Sequence, residues 1–227
     1  MQIDSLQFGY GSAPLFDGWS QTWQDGKVHC ILGSSGVGKT TLLQLICGRL
    51  QPTGGTVNAQ GKKSYVFQQP RLVGGINVEQ NLKMTTPREK WGAIEGICKT
   101  LGVDSLLQRM PLTLSGGEQT RVALARAFAY DGDILILDEP FRGLDIAWKA
   151  TCVQDLRQML AEHPRTVIAV THDPDVAWAI ADTVTVLAGR PVRTAYQTQL
   201  DLSDRERGEY GDAPAWFRRA VLDALRG

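Results

Sequence analysis

Residues 33–40, with the sequence GSSGVGKT, place three glycines between two apolar runs. The run before them, residues 28–32 (VHCIL), is typical of a buried strand, and residues 41–47 (TLLQLIC) are typical of a helix that ends at Gly48. A glycine-rich turn that leads from a strand into a helix aims several backbone N–H groups at one point, with no side chains in the way. The sequence therefore predicts an α/β core that holds a chain of phosphates at this loop.

Each residue type in this loop has a use in phosphate binding. Gly33, Gly36 and Gly38 are the permissive backbone positions. Lys39 is expected to reach the terminal phosphates, and the hydroxyl of Thr40 to ligate Mg²⁺. The alternative is a flexible Gly/Ser loop with a solvated lysine, and the flanking strand and helix favour the phosphate site.

Two further apolar runs end in chemically active side chains. Residues 134–137 (ILIL) precede Asp138 and Glu139, and residues 167–170 (VIAV) precede His172 by two positions. Such runs predict strands covered on both faces, and ligands bind at the carboxyl ends of the strands in parallel sheets. Asp138 is expected to hold Mg²⁺ between phosphates.

Glu139 is the expected general base for the attacking water, because its carboxylate is not consumed by the metal. The alternative is an acidic pair that caps the turn at Pro140. His172 is expected to donate to the γ-phosphate or to the water, and the alternative is a structural histidine. Asp173 and Pro174 are expected to start the next helix.

Residues 114–118 (LSGGE) allow two interpretations. Ser115 with Glu118 three positions later is a capping box. Two glycines in the first turn weaken a helix, however, and a plain cap does not require them. They indicate a close approach of bare backbone N–H groups to an anion.

The distribution of residue types gives the organisation. Residues 77–107 are helical in pattern and more polar than their surroundings, so we interpret 77–115 as an inserted helical subdomain. The core is expected at 1–76 and 116–190, and a C-terminal extension at 191–227. No stretch is apolar for long enough to span a bilayer, and Cys30, Cys47, Cys98 and Cys152 have no paired spacing. These features predict a cytoplasmic protein with reduced cysteines. The 24 basic and 24 acidic residues give no surplus that favours nucleic acid.

The order of motifs resembles that of ABC transporter ATPase subunits. The matching segments are residues 33–40 (Walker A), 67–68 (FQ, Q-loop), 114–118 (signature), 134–140 (Walker B), 143–145 (GLD, D-loop) and 171–173 (THD, H-switch). The resemblance runs from about Tyr10 to Leu187. Residues 67–72 and 186–191 look most like the nitrate, sulfonate and taurine importer group, with the thiamine-type group second.

The resemblance implies a P-loop NTPase core with a mainly parallel sheet, an N-terminal antiparallel β subdomain and the helical insertion. It also implies ATP and Mg²⁺ as ligands, with ATP sandwiched between two subunits of a homodimer. The implied nucleotide-binding residues are Tyr10, Gly33, Ser34, Ser35, Gly36, Val37, Gly38, Lys39, Thr40, Thr41, Ser115, Gly116, Gly117 and Asp145. The implied catalytic residues are Glu139, His172 and Gln68, and the implied metal ligands are Thr40, Gln68 and Asp138. Tyr10 would stack on adenine; the alternative is an aromatic on a strand face.

The partners implied by the resemblance are an integral membrane permease and, through it, a periplasmic or extracellular solute-binding protein. The subunit would lie peripherally at the cytoplasmic face of the membrane. Thr120, Arg142 with Gly143, and Gly74 with Gly75 depart from the family pattern without touching the catalytic set. The alternatives are a lipid or lipoprotein export subunit, a soluble ABC ATPase without a transport role, and a degenerate nucleotide-binding scaffold.

Overall fold

The computed structural model describes residues 1–200 and 203–226. The strands are β1 (Gln2–Tyr10), β2 (Ala13–Thr22), β3 (Val28–Gly33), β4 (Gly54–Asn58), β5 (Lys63–Val66), β6 (Ile134–Asp138), β7 (Thr166–Val170), β8 (Thr183–Ala188) and β9 (Arg193–Gln199). The α-helices are α1 (Lys39–Ile46), α2 (Val78–Lys83), α3 (Trp91–Thr100), α4 (Gly116–Tyr130), α5 (Ile146–Glu162), α6 (Pro174–Ile180), α7 (Asp204–Arg207) and α8 (Ala215–Arg226). Short 3₁₀ helices lie at Arg88–Lys90, Asp104–Leu106 and Pro111–Thr113. In these described ranges, every helix is too short or too polar to cross a membrane.

The chain packs as two compact units. The first unit is Met1–Gly61 with Thr166–Gly227, and the second is Lys62–Arg165. This division rests on packing and does not decide whether 77–115 is a separate subdomain, so the expected domain bounds stay a prediction. Residues 201, 202 and 227 of the expected extension lie outside the described residues.

The first unit contains a parallel group of strands with β3 at its centre. β3 pairs in parallel with β7 on one side and with β8 on the other, and β9 runs antiparallel to β8. β7 and β8 are buried along their whole length, as apolar runs covered on both faces should be. Because β3 and β7 are parallel neighbours, the loop at 33–40 and the turn at His172 both follow the carboxyl ends of their strands.

A second sheet of the first unit is antiparallel, in the order β2-β1-β4. This confirms the antiparallel N-terminal strands. Gly54 and Gly55 lie inside β4, which pairs with β1. Gly55 allows that pairing, because its φ angle is 76° and a Cβ there would lie 2.2 Å from the Ser5 carbonyl oxygen.

The second unit combines a parallel strand pair with helices. β5 and β6 are parallel, with Val66 opposite Leu137, so Gln68 and Asp138 follow the same ends of neighbouring strands. The 77–107 stretch is helical as expected, through α2, α3 and two 3₁₀ turns. Together, the strands and helices confirm the α/β fold class with mainly parallel strands.

Candidate functional site

The backbone of the phosphate loop has the glycine conformations that the sequence requires. Gly36 and Gly38 have φ angles of 77° and 119°. A Cβ at Gly33 would lie 2.7 Å from Val37 Cγ1 and 2.9 Å from the Leu187 carbonyl oxygen. Gly38 precedes α1 and has no side chain with which to cap it. The start of α1 is therefore open to an anion from outside the loop.

Two positively charged side chains form hydrogen bonds with carbonyl oxygens of this loop. The buried Lys39 ammonium donates to the carbonyl oxygens of Gly33 at 2.7 Å and Ser34 at 3.0 Å. The Arg190 guanidinium donates to the carbonyl oxygen of Gly36 at 2.9 Å. The contact of Lys39 with terminal phosphates stays a prediction, and the sequence gave no signal that Arg190, 154 residues after Gly36, would contact the loop. Both charges favour a polyanion at the loop.

Tyr10 lies beside the first turn of α1 with an exposed ring. Its side chain is 62% exposed, and its hydroxyl is 3.3 Å from Thr41 Oγ1. The ring packs edge-on against Phe8 at a centroid distance of 5.2 Å. The tyrosine is therefore held next to the loop with a face left for another ring, and its contact with adenine stays a prediction.

His172 is exposed in the turn between β7 and α6. The turn is fixed on both sides of it: the Asp173 N–H donates to Thr171 Oγ1, and Asp173 Oδ1 accepts from the Asp175 N–H, both at 3.0 Å. Asp173 is the N-cap of α6 and Pro174 is its first residue, as the sequence predicted. An imidazole on such a rigid turn suits a positioned hydrogen-bond donor.

In the second unit, Asp138 ends β6 as a buried carboxylate. Its Oδ2 accepts a hydrogen bond from the Tyr65 hydroxyl at 3.0 Å. The sequence gave no signal for Tyr65. The bond fixes the rotamer of a carboxylate whose oxygens are the ligand type that Mg²⁺ prefers.

Glu139 is held in an unusual backbone conformation. Its φ angle is 46°, in the left-handed region that glutamate rarely adopts. Arg142 closes the turn by donating its N–H to the Glu139 carbonyl at 3.1 Å. The Arg142 guanidinium also lies 3.3 Å from Glu139 Oε2. Strain at this position points to a functional constraint on the carboxylate, in addition to a turn at Pro140.

Gln68 is exposed just beyond β5. The preceding Phe67 packs against the Tyr65 ring at 4.2 Å, and the Arg71 guanidinium lies 4.2 Å over the Phe67 ring. Arg126 donates to the carbonyl oxygens of Pro70 at 2.9 Å and Arg71 at 3.0 Å. Gln68 therefore projects from a segment that is held by contacts within the second unit.

The Ser115 segment forms the expected capping box. Ser115 Oγ accepts from the Glu118 N–H at 3.3 Å, and Glu118 Oε2 accepts from the Ser115 N–H at 2.7 Å. The backbone bond from Ser115 is the largest cause of the lowered pKa of Glu118. The carboxylate is therefore kept charged at the start of α4, where the helix dipole favours it.

Gly117 has a packing role that the sequence did not reveal. A Cβ there would lie 2.8 Å from the Trp148 indole, whereas a Cβ at Gly116 would meet only Leu144, at 3.9 Å. The Arg121 guanidinium covers the same indole at 5.0 Å. The backbone N–H of Trp148 donates to Asp145 Oδ1 at 2.9 Å, so Asp145 caps α5. Trp148 thus connects the signature and D-loop segments of the second unit.

The cysteines take no part in this chemistry. All four are free, as predicted. Burial raises the pKa of Cys30, and it raises the pKa of Cys98 to about 11 and of Cys152 to about 12. These thiols stay protonated at neutral pH and are poor nucleophiles and metal ligands.

Residues 16–142, more than half of the chain, match the family described as "ABC transporter". The chain belongs to the ABC transporter family. It is 37% identical over 210 residues to the aliphatic sulfonates import ATP-binding protein SsuB 1 of Rhodococcus jostii (strain RHA1), covering 90% of this chain and 84% of the relative. It is 38% identical over 184 residues to SsuB 2 of Pseudomonas syringae pv. tomato (strain ATCC BAA-871 / DC3000), covering 79% of this chain and 78% of that relative. The expected class, an ABC transport ATPase, is confirmed.

Solved structures of ABC transporter proteins have the same fold. CbiO1 from Clostridium perfringens, part of the ABC transporter complex CbiONQ, matches with a TM-score of 0.78 and 27% identity, covering 87% of each chain. A metal-chelate-type ABC transporter in an inward-facing conformation matches with a TM-score of 0.77 over 98% of this chain and 88% of that chain. At 22% identity, the second likeness concerns the fold alone.

We predict that Gly117→Ala destabilises the ABC subunit and that Gly116→Ala does not. The new methyl group would overlap the Trp148 ring, and such overpacking costs roughly 1–3 kcal/mol. In a chain of this length, a melting temperature lower by several degrees is expected. Adding Trp148→Ala to Gly117→Ala should relieve the overlap. Equal melting temperatures for the two glycine variants would contradict the packing role.

Proposed function

We propose that this chain is the ATP-hydrolysing subunit of an importer that takes up aliphatic sulfonates, such as taurine, or another small oxyanion, such as nitrate. The observation that carries the ATPase assignment is the loop at 33–40, where Gly38 is the N-cap of α1 and the Lys39 ammonium is hydrogen-bonded across the loop. The relatives named as aliphatic sulfonates import ATP-binding proteins support the substrate class. Thiamine-precursor-like solutes are the second choice of substrate.

The phosphates of ATP take the place of the loop's internal acceptors. Residues 34–38 supply backbone N–H groups, and Lys39 exchanges its carbonyl contacts for the terminal phosphates, which are stronger acceptors because they are charged. The hydrogen bond from Arg190 to the Gly36 carbonyl oxygen holds the conformation of the loop during this exchange.

The residue set fits Mg²⁺. The Thr40 hydroxyl, the Gln68 amide oxygen and the Asp138 carboxylate are hard oxygen donors, and Asp138 is already oriented by Tyr65. Mg²⁺ held by these residues would supply positive charge that offsets the charge of the phosphates. Glu139 takes a proton from the attacking water, and His172 donates a hydrogen bond to the γ-phosphate.

Replacing the base tests this assignment. Glu139→Gln keeps the shape of the side chain but removes its basicity, so we expect ATP binding to persist while turnover falls by about 10²–10⁴-fold. Single-turnover hydrolysis and nucleotide affinity should be measured together. Gel filtration with ATP should then show a long-lived dimer. Turnover within a few-fold of wild type would show that Glu139 is not the base.

Two exposed segments of the second unit support the proposed homodimer. Ser115, Gly116 and Gly117 present a helix start like that of an anion site, and in the proposed dimer this helix start would meet the γ-phosphate of the partner's ATP. Asp145 ends the D-loop segment, and the next residue, Ile146, is 77% exposed at the start of α5. An exposed isoleucine beside an exposed aspartate suits a contact with a second copy of the chain.

Mixing two inactive variants tests whether sites are shared between subunits. Lys39→Ala removes the phosphate contact of one subunit, and Ser115→Arg blocks the signature of the other. Random pairing makes half of the dimers mixed, each with one intact composite site, so we expect about a quarter of wild-type ATPase activity. Activity that stays at the level of the separate variants, in a mixture shown to form mixed dimers, would count against independent shared sites.

The permease contact is expected at residues 69–78, which follow Gln68. The fully buried Asn81 fixes this loop: its Oδ1 accepts from the Val73 N–H at 2.7 Å, and its Nδ2 donates to the Val73 carbonyl at 3.0 Å. Val73 is 42% exposed, and Leu72 and Ile76 are half-buried. Next to Gly74 lies Leu112, 86% exposed. A rigid loop with exposed aliphatic groups suits a short helix of the permease.

A charge in this loop should weaken membrane attachment. We expect the subunit to sediment with membranes only when its permease is expressed, and Leu72→Glu to reduce that fraction because it places a carboxylate in an apolar contact. Nucleotide affinity in solution should not change. Leu222→Glu, on the 45% exposed leucine of α8, is the matched control. Equal sedimentation without any permease would refute the proposed attachment. A solute-binding protein outside the membrane would complete the importer.

A further inference from the structure

The C-terminal segment of the first unit, residues 203–226, packs on the helix that follows His172. Trp178 of α6 lies with its ring centroid 5.1 Å from that of the fully buried Phe217 and 5.8 Å from that of Trp216. The Trp178 indole N–H donates to the Arg207 carbonyl at 3.0 Å. These contacts fix α8 and the end of α7 against α6.

The buried guanidinium of Arg207 anchors the same segment to the end of α6. It donates to the carbonyl oxygen of Ala181 and to Asp182 Oδ1, the latter at 3.1 Å. Asp182 in turn accepts from the Val28 N–H at 2.8 Å through its Oδ2. Because Val28 begins β3, the C-terminal segment is connected to the strand that leads into the phosphate loop.

Two side chains of the segment reach the turn that carries His172. The Tyr210 hydroxyl donates to Asp173 Oδ2 at 2.8 Å. Arg218 donates from Nε and Nη2 to Asp175 Oδ1, at 3.1 Å and 2.5 Å. The N-cap of α6, Asp173, and the acidic residue of its first turn, Asp175, are therefore both bound by the C-terminal segment.

Asp173 occupies the decisive position, because it is covalently next to His172. One of its carboxylate oxygens caps α6 through the Asp175 N–H, and the other is bound by Tyr210. A carboxylate bound at both oxygens has one rotamer available, and a capped helix start has one backbone conformation. The Tyr210 bond thus restricts the backbone that carries the imidazole.

We propose that residues 203–226 are a positioning element for His172, acting through Tyr210 on Asp173 and through Arg218 on Asp175. The inference rests on the proposed function, in which His172 contacts the γ-phosphate. It gives the C-terminal segment of this ABC subunit a part in ATP hydrolysis without contact with the nucleotide. Tyr210 and Arg218 are positioning residues in this scheme.

The test compares Tyr210→Phe, Arg218→Ala and the double variant with Arg219→Ala. Arg219 is the matched control, since it is the next residue of α8 and its side chain is 85% exposed. We expect kcat of the double variant to fall about tenfold, the size of effect typical of a lost charge-assisted hydrogen bond, with KM and ATP affinity unchanged. Arg218→Lys, which keeps a positive charge at this position, should retain more activity than Arg218→Ala.

The NMR chemical shifts of the imidazole rings report on the surroundings of each histidine and do not depend on the overall stability of the protein. The chain has three histidines, His29, His163 and His172. Tyr210→Phe, which removes one oxygen and keeps the ring, should shift the signals of His172 and leave those of His29 and His163 in place. Amide exchange at residues 171–176 should quicken in the same variant.

The outcomes separate this inference from the proposed function. His172→Ala that turns over like wild type would refute the role of His172 at the phosphate. If His172→Ala is inactive but the double variant matches Arg219→Ala in kcat and in the His172 signals, the positioning role is overturned and the ATPase role stands. A parallel loss of kcat and ATP affinity would also overturn it, since it indicates a general loss of structure. If the double variant does not fold, the NMR result for Tyr210→Phe decides.

Discussion

The close approach of Val37 and the Leu187 carbonyl to Gly33 is the contact on which the phosphate loop depends. β3 is paired on both sides, so Gly33 cannot move away from Leu187 without breaking the parallel register with β8. Only a residue without Cβ fits there, and this lets the chain turn at once into α1. The Lys39 ammonium donates a hydrogen bond to the Gly33 carbonyl oxygen, which joins the end of the loop to its beginning.

In the second unit, the carboxylates of Asp138 and Glu139 lie at the carboxyl end of β6, in the parallel strand pair that β6 forms with β5. Asp138 is oriented by a hydroxyl from the neighbouring strand, whereas Glu139 is held by a strained backbone and by Arg142. The two adjacent carboxylates thus have different surroundings, which is compatible with the separate roles proposed for them. The Arg142 guanidinium gives Glu139 an ion-pair partner within the same turn.

The strands, helices and motif positions could be predicted from the sequence because their signals are local. Apolar runs gave β3, β6 and β7, and Ser115 with Glu118 gave the capping box of α4. The residues that support the site could not be predicted this way. Tyr65 and Asp138 are 73 residues apart, and Trp148 meets Gly117 through side-chain packing between two helices. No periodicity or spacing in one sequence encodes which distant side chains meet. From the sequence, Gly117 was explained by anion binding alone, and its packing against Trp148 could not be predicted.

The capping roles of Ser115 and Asp145 within the chain are compatible with the dimer roles proposed for them. A hydroxyl that accepts the Glu118 N–H keeps its own proton for donation to a phosphate. A carboxylate has about four lone-pair sites, so one bond from the Trp148 N–H leaves Asp145 the capacity to accept others. The caps hold both side chains in one rotamer before a partner arrives. Association then costs less side-chain entropy than it would for free side chains, and the two segments can meet a partner without rearranging.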